Sequence, residues 1–113
     1  MKQDALERAL LFDCYGEMLT EKQRTIFALH CDQDLSLGEI AEELGISRQG
    51  VHDTLARTEA ALEAMEEKLG CVCREQALRR AGEELSAVAG ELRAAGYQEW
   101  AARIEAAAER IKE

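Results

Sequence analysis

Five side chains in one short stretch, Ser47, Arg48, Gln49, His52 and Arg57, are of the types that read nucleic acid. An arginine offers a bidentate fork to guanine, and a glutamine offers a donor and an acceptor to adenine, in the major groove. Those contacts require the residues to lie on the first turns of one helix, held at the groove by a second helix. The residues just upstream supply that support. Ser36 followed by Glu39 spells a capping box, in which the hydroxyl takes a backbone N–H and the carboxylate reaches back. Leu37, Ile40, Ala41 and Leu44 recur on one helical face. Ala41 is small where two crossing helices must approach. Gly45 follows the last periodic residue, where a sharp turn needs a left-handed backbone. Ile46 plugs the turn and Ser47 caps the next helix. Residues 36–51 therefore read as a helix-turn-helix with Ser47, Arg48, Gln49, His52 and Arg57 as candidate nucleic-acid contacts.

The charge runs against that chemistry. The chain of 113 residues carries a formal net charge of -9. Residues 1–70 hold seven Lys/Arg against fifteen Asp/Glu, so the helix-turn-helix half is the more acidic one. Phosphate neutralisation by cations supplies most of the affinity of a nucleic-acid binder. Asp53 and Glu59 are expected to repel phosphates beside them. Weak binding to free DNA is the expectation.

No catalytic constellation emerges, and the chain is not expected to be an enzyme or to need a cofactor. It contains no glycine-rich phosphate loop, no His-Glu-x-x-His and no nucleophile elbow. The two histidines are His30, expected to pack on an inner helix face, and His52, expected to be exposed. The four cysteines are Cys14, Cys31, Cys71 and Cys73. Cys71 and Cys73 stand one residue apart, closer than structural zinc pairs do. The expectation is small, half-buried thiols and no metal.

The elements that must position these residues are all helical. Proline is absent, and apolar periods near 3.6 run throughout, which predicts about six helices and no strand. The first helix is expected over residues 3–19, with Leu6, Leu10, Leu11, Cys14 and Met18 inward. Thr20 and Gln23 spell a second capping box, ahead of a helix burying Ile26, Phe27, His30 and Cys31. The helix after Ser47 carries Val51, Leu55, Thr58, Leu62, Met65 and Leu69 at alternating spacings of four and three, a heptad seam that should run to Leu69. Two domains follow: a helix-turn-helix domain over 1–70, and over 71–113 a helical hairpin that packs on it or on a partner subunit. In the hairpin, Leu78, Ala81, Leu85, Val88 and Leu92 form one stripe, and Tyr97, Trp100, Ile104, Ala108 and Ile111 another. The seam is longer than three short helices can cover. That predicts a homodimer with Leu62, Met65, Leu69, Trp100 and Ile104 at its interface. No apolar run approaches the ~18 residues of a membrane span, and the start Met-Lys-Gln-Asp has no apolar signal core, so membrane insertion is not expected and a cytoplasmic location is.

From Leu19-Thr20-Glu21-Lys22-Gln23-Arg24 through Asp32–Leu37 to Glu39–Gln49 and Val51, the chain resembles region 4 of sigma factors. With Arg57-Thr58-Glu59, Leu62 and Met65–Leu69 on one continuous helix, and Phe12, Tyr15 and Leu19 ahead of it, it is similar to the YlxM-like family of small bacterial proteins. The resemblance covers about residues 5–70. It implies an all-α, sigma region 4-like fold and a regulatory role accessory to the signal recognition particle, through its GTPase, its RNA or its receptor. The alternative is a sequence-specific DNA-binding transcription regulator.

Overall fold

The computed structural model describes residues 4–112. They form six α-helices and one 3-10 turn, with no strand among them. In chain order these are α1 (Ala5–Tyr15), the 3-10 turn (Gly16–Met18), α2 (Glu21–Cys31), α3 (Leu37–Leu44), α4 (Arg48–Leu69), α5 (Cys71–Ala94) and α6 (Gln98–Lys112). The chain divides into two compact units, Met1–Val72 and Cys73–Glu113.

Caps set the helix starts. The Asp4 carboxylate accepts from the Glu7 N–H at 2.7 Å, opening α1. At α2 the Gln23 N–H donates to Thr20 Oγ1 at 3.2 Å, and the Thr20 N–H donates to Gln23 Oε1 at 3.0 Å. At α3 the same reciprocal pair joins Ser36 and Glu39, at 3.1 and 3.0 Å. Both capping boxes read from the sequence are present. The two backbone donors that Ser36 and Glu39 satisfy would otherwise be orphaned. The Ser36 amide and hydroxyl hold the Glu39 carboxyl below its ordinary value.

The first helix departs from the single span expected over 3–19. It closes at Tyr15 and tightens into the 3-10 turn, where buried Gly16 lies beneath the Phe12 ring. A Cβ added there would touch that ring at 3.5 Å. The tighter turn shifts the phase of the buried stripe. Leu19 goes inside, and Met18, expected inside, lies on the surface. Leu6 is exposed as well. Phe12 stacks on Phe27 with ring centroids 5.2 Å apart, joining α1 to α2.

The core of the first unit gathers Leu11, Tyr15, Ile26, Phe27, Ile40, Val51, Leu55 and Leu62. Helix α4 meets α1, α2 and α3. Its inner stripe includes Thr58, fully buried, whose hydroxyl donates to the Thr54 carbonyl at 2.7 Å and so spares an unmet polar group. Glu59 also lies inside, with its carboxylate 3.7 Å from the Arg8 guanidinium. Burial pushes that carboxyl up and Arg8 pulls it back. This corrects the expectation that Glu59 repels phosphates: it faces α1.

In the second unit the fully buried positions are small. They are Gly82 and Ala89 on α5 and Ala101 and Ala108 on α6, with Leu85, Leu92, Ile104 and Ile111 half-buried. Arg93 joins the two helices by pairing with Glu105 and donating to Gln98. The stripes read from the sequence are displaced here. Leu78, Val88, Tyr97 and Trp100 are exposed, because the small residues beside them allow close approach and take the inner face.

Two glycines give opposite outcomes on substitution. Gly90 lies within α5, and a Cβ added there meets nothing within 4 Å, so Gly90→Ala should stabilise by about 1 kcal/mol. Gly45 has φ 69°, so Gly45→Ala should cost about 1–2 kcal/mol. Paired thermal melts check both. Glu39 supplies the pH dependence. Its folded value is depressed, so its contribution to stability is present above the unfolded value of 4.5 and is lost as pH falls through the folded value. Ser36→Ala should return the Glu39 carboxyl toward 4.5 and shrink that acid-side loss, measured by carboxyl nuclear magnetic resonance titration.

Candidate nucleic-acid interface

The turn between α3 and α4 closes as a left-handed cap. Gly45 takes the positive φ, and the Ile46 N–H returns to the Ala41 carbonyl at 3.1 Å. Ala41 is buried and Ile46 packs against the core, which seats the turn. Ser47 then opens α4, its hydroxyl accepting from the Gly50 N–H at 2.9 Å. A Cβ on Gly50 would come within 3.1 Å of that hydroxyl, so the residue there is held small by the cap itself.

Arg48, Gln49, His52 and Arg57 are all exposed, as is Ser47. Helical spacing puts Gln49, His52 and Asp53 together, and Asp53 organises them. Its Oδ1 accepts from Gln49 Nε2 at 2.9 Å and lies 3.4 Å from His52 Nδ1. The bonds from Gln49 and His52, with the charge of Arg57, hold the Asp53 carboxyl below the usual aspartate range. At neutral pH the face therefore carries a fixed carboxylate beside its two cations, and its glutamine and histidine are engaged by it. The sequence placed Asp53 here; only the geometry made it the hub.

A groove of about 580 Å³ lies beside this face. Leu37, Leu55, Ala56 and Ala60 supply apolar walls, and His30, His52, Glu59 and Glu63 the polar ones. His30 is half-buried, and its Nδ1–H donates to the Leu35 carbonyl at 3.0 Å, the packed histidine expected. Sequence reading missed the groove, because it exists only where three helices cross.

The residues assigned to an interface divide. Leu62 is fully buried in the core of its own chain, and Met65 packs against that core. The seam therefore finds its cover within the first unit as far as Met65, and Leu62, expected at a homodimer interface, belongs to the core of its own chain. Leu69 is 49% exposed and Trp100 56%, with the Arg103 guanidinium 5.1 Å from the Trp100 ring. Ile104 is half-buried.

A second polar cluster lies where α4 gives way to α5. The Tyr15 hydroxyl donates to Glu66 Oε1 at 2.6 Å and accepts from the Cys71 N–H at 3.0 Å, while the Val72 N–H donates to the same Glu66 oxygen at 3.0 Å. Burial and the Glu66 carboxylate push the Tyr15 phenol up, so it stays a donor. Cys71 Sγ lies 3.4 Å from Cys14 Sγ. Cys71 stands one residue from Cys73 in sequence, and the fold sets it beside Cys14. Burial raises the Cys31 thiol.

No helix among the described residues is long and apolar enough to cross a membrane. Residues 2–92 match the family model described as "Putative helix-turn-helix protein, YlxM / p13 like". The chain is 58% identical over 76 residues to a UPF0122 protein of Thermoanaerobacter sp. (strain X514), covering 67% of this chain and 65% of the relative. It thus spans just under two thirds of that relative's length. It is 51% identical over 85 residues to a UPF0122 protein of Caldanaerobacter subterraneus subsp. tengcongensis, covering 75% and 73%, and 50% identical over 74 residues to one from Halalkalibacterium halodurans, covering 66% and 68%. A helix-turn-helix built as described, with a family match over most of its length, makes this chain a member of the UPF0122, YlxM / p13-like family.

Proposed function

We propose that the chain is a regulatory interaction protein, accessory to the signal recognition particle pathway, and that the outer face of α4 engages a basic protein component, the particle's GTPase or its receptor. The tie to that pathway rests on the YlxM-like resemblance. The choice of a protein over RNA or bare DNA rests on one observation: the Asp53 carboxylate engages Gln49 and His52, two of the five candidate nucleic-acid contacts. The carboxylate offsets one of the face's two cations, and the half of the chain around it holds fifteen acids against seven bases, a balance that disfavours phosphate and favours a basic partner. The groove beside it adds apolar area for a protein side chain. The reaction class is binding; no catalytic role is assigned.

A sequence-specific DNA-binding regulator is the second reading, favoured by the exposure of Arg48 at the first turn of α4. The two readings separate in a salt titration. Random duplex DNA should bind more weakly than the micromolar range at ~150 mM salt, since even basic domains bind non-specifically at about 10⁻⁴–10⁻⁶ M. A submicromolar constant there overturns the protein-partner reading. Asp53→Ala should tighten duplex binding and steepen its salt dependence. If a specific site exists, Arg48→Ala should cost about 1–3 kcal/mol there. Capture from native cytosol followed by mass spectrometry should return the particle's GTPase or receptor.

The chain is also proposed to act as a homodimer through Leu69 and Trp100, the exposed apolar anchors of the predicted interface. Light scattering at micromolar concentration should give twice the mass of 12.6 kDa. A monomer mass ends that proposal.

A further inference from the structure

We propose that Cys14 and Cys71 form a reversible disulfide that fastens the end of α1 to the first residue of α5. The two sulfurs are 3.4 Å apart, although their residues are 57 positions apart in sequence. A disulfide needs about 2.05 Å, so the sulfurs must close by little more than one ångström. The backbone on both sides is already held: the Tyr15 hydroxyl, next to Cys14, accepts from the Cys71 N–H, and Glu66 holds both Tyr15 and the Val72 N–H. Both cysteines are half-buried, close enough to the surface for a small thiol reagent.

The other pairings are poorer. Cys71 and Cys73 are two residues apart at the start of one helix, about 200° around its axis, and point away from each other. Cys31 is on α2, with its thiol held protonated by burial.

The oxidant is a low-molecular-weight disulfide of the glutathione class. One of the two protein thiols loses its proton and attacks a sulfur of that reagent. The reagent's S–S bond breaks, and its departing thiolate takes up the proton. The second protein thiol then loses its proton and attacks the protein sulfur of the mixed disulfide. This releases the second reagent thiol, which takes up that proton. Two electrons pass from the protein dithiol to the reagent disulfide, giving one protein S–S bond and two reagent thiols. Reduced thiol in excess reverses the sequence.

The bond closes a long loop of the first unit and pins the Tyr15–Glu66 cluster. It should raise the melting temperature of the oxidised chain by roughly 10 °C, and slow amide exchange at Cys71 and Val72. Cleavage after Lys68 and Arg74 leaves Cys71 and Cys73 on one peptide. The test therefore uses the full-length Cys31→Ser, Cys73→Ser variant. It is incubated with excess glutathione disulfide and a chelator, alkylated, and mapped without reduction. The expected result is the peptide spanning residues 9–22 linked to the peptide spanning 69–74 in protein that runs as a single 12.6 kDa chain on a non-reducing denaturing gel, with the melting shift reversed by dithiothreitol. Glutathione adducts at both cysteines without a link, or a link between two chains, overturn the proposal. Cys14→Ser should abolish the melting shift in an otherwise unaltered chain. Should that variant fold poorly, the peptide map still decides.

Discussion

Helix α4 has to be buried along one side for more than half its length, and the first unit is arranged around that requirement. Val51, Leu55, Thr58 and Leu62 are all buried, and α1, α2 and α3 each lie against α4. A helix of 22 residues with so many charges has no reason to persist alone in water. Its inner stripe holds because Ile26, Phe27 and Ile40 close over it. Burying side chains of this size contributes roughly 1.5–3 kcal/mol each, which is why the stripe outweighs the cost of keeping Glu59 inside. Arg8 offsets part of that cost with a charge of opposite sign.

Fixing one side of α4 fixes what the other side presents. Once Val51 and Leu55 point inward, a helical period of 3.6 turns Gln49 and Arg57 toward the opposite side, while His52 flanks the stripe and Arg48 is exposed at the first residue of the helix. The same rotation brings Asp53 alongside Gln49 and His52. The outer face is thus largely a consequence of core packing, and its charges are Arg48, Arg57 and the Asp53 carboxylate between them in sequence. The helix-turn-helix scaffold is intact, and Asp53 sets a negative charge among the exposed residues of its second helix. Fold and function are separable here, since the packing residues and the surface residues are different sets on one helix.

The junction after α4 is built on a different principle. Tyr15, Glu66 and the amides of Cys71 and Val72 form a hydrogen-bonded cluster in which one carboxylate oxygen serves two donors. Bonds to a charged acceptor are stronger than neutral ones, and a partly buried setting strengthens them further. The cluster joins α1, α4 and the start of α5 across more than fifty residues of sequence. The second unit uses small side chains instead. Gly82, Ala89, Ala101 and Ala108 are its buried positions. Large apolar residues such as Trp100 remain outside.

The local grammar of the chain was written in its sequence: both capping boxes, the left-handed Gly45, the Ser47 cap, the extent of α4 to Leu69 and the outward set from Ser47 to Arg57. Each depends on residues within a few positions of one another, where hydrogen-bonding chemistry and helical period leave little choice. Four features depended on tertiary structure. The chain tightens at Gly16, beneath the Phe12 ring, and Met18 lies outward. Glu59 stands four residues after Leu55 and three before Leu62, at the flank of the buried stripe, and its pairing with Arg8 depends on another helix. The approach of Cys14 to Cys71, and the groove among Leu37, Leu55 and Ala60, exist only where separate helices meet. Periodicity states which face of a helix is buried on average; the shape and charge of what covers it decide each residue.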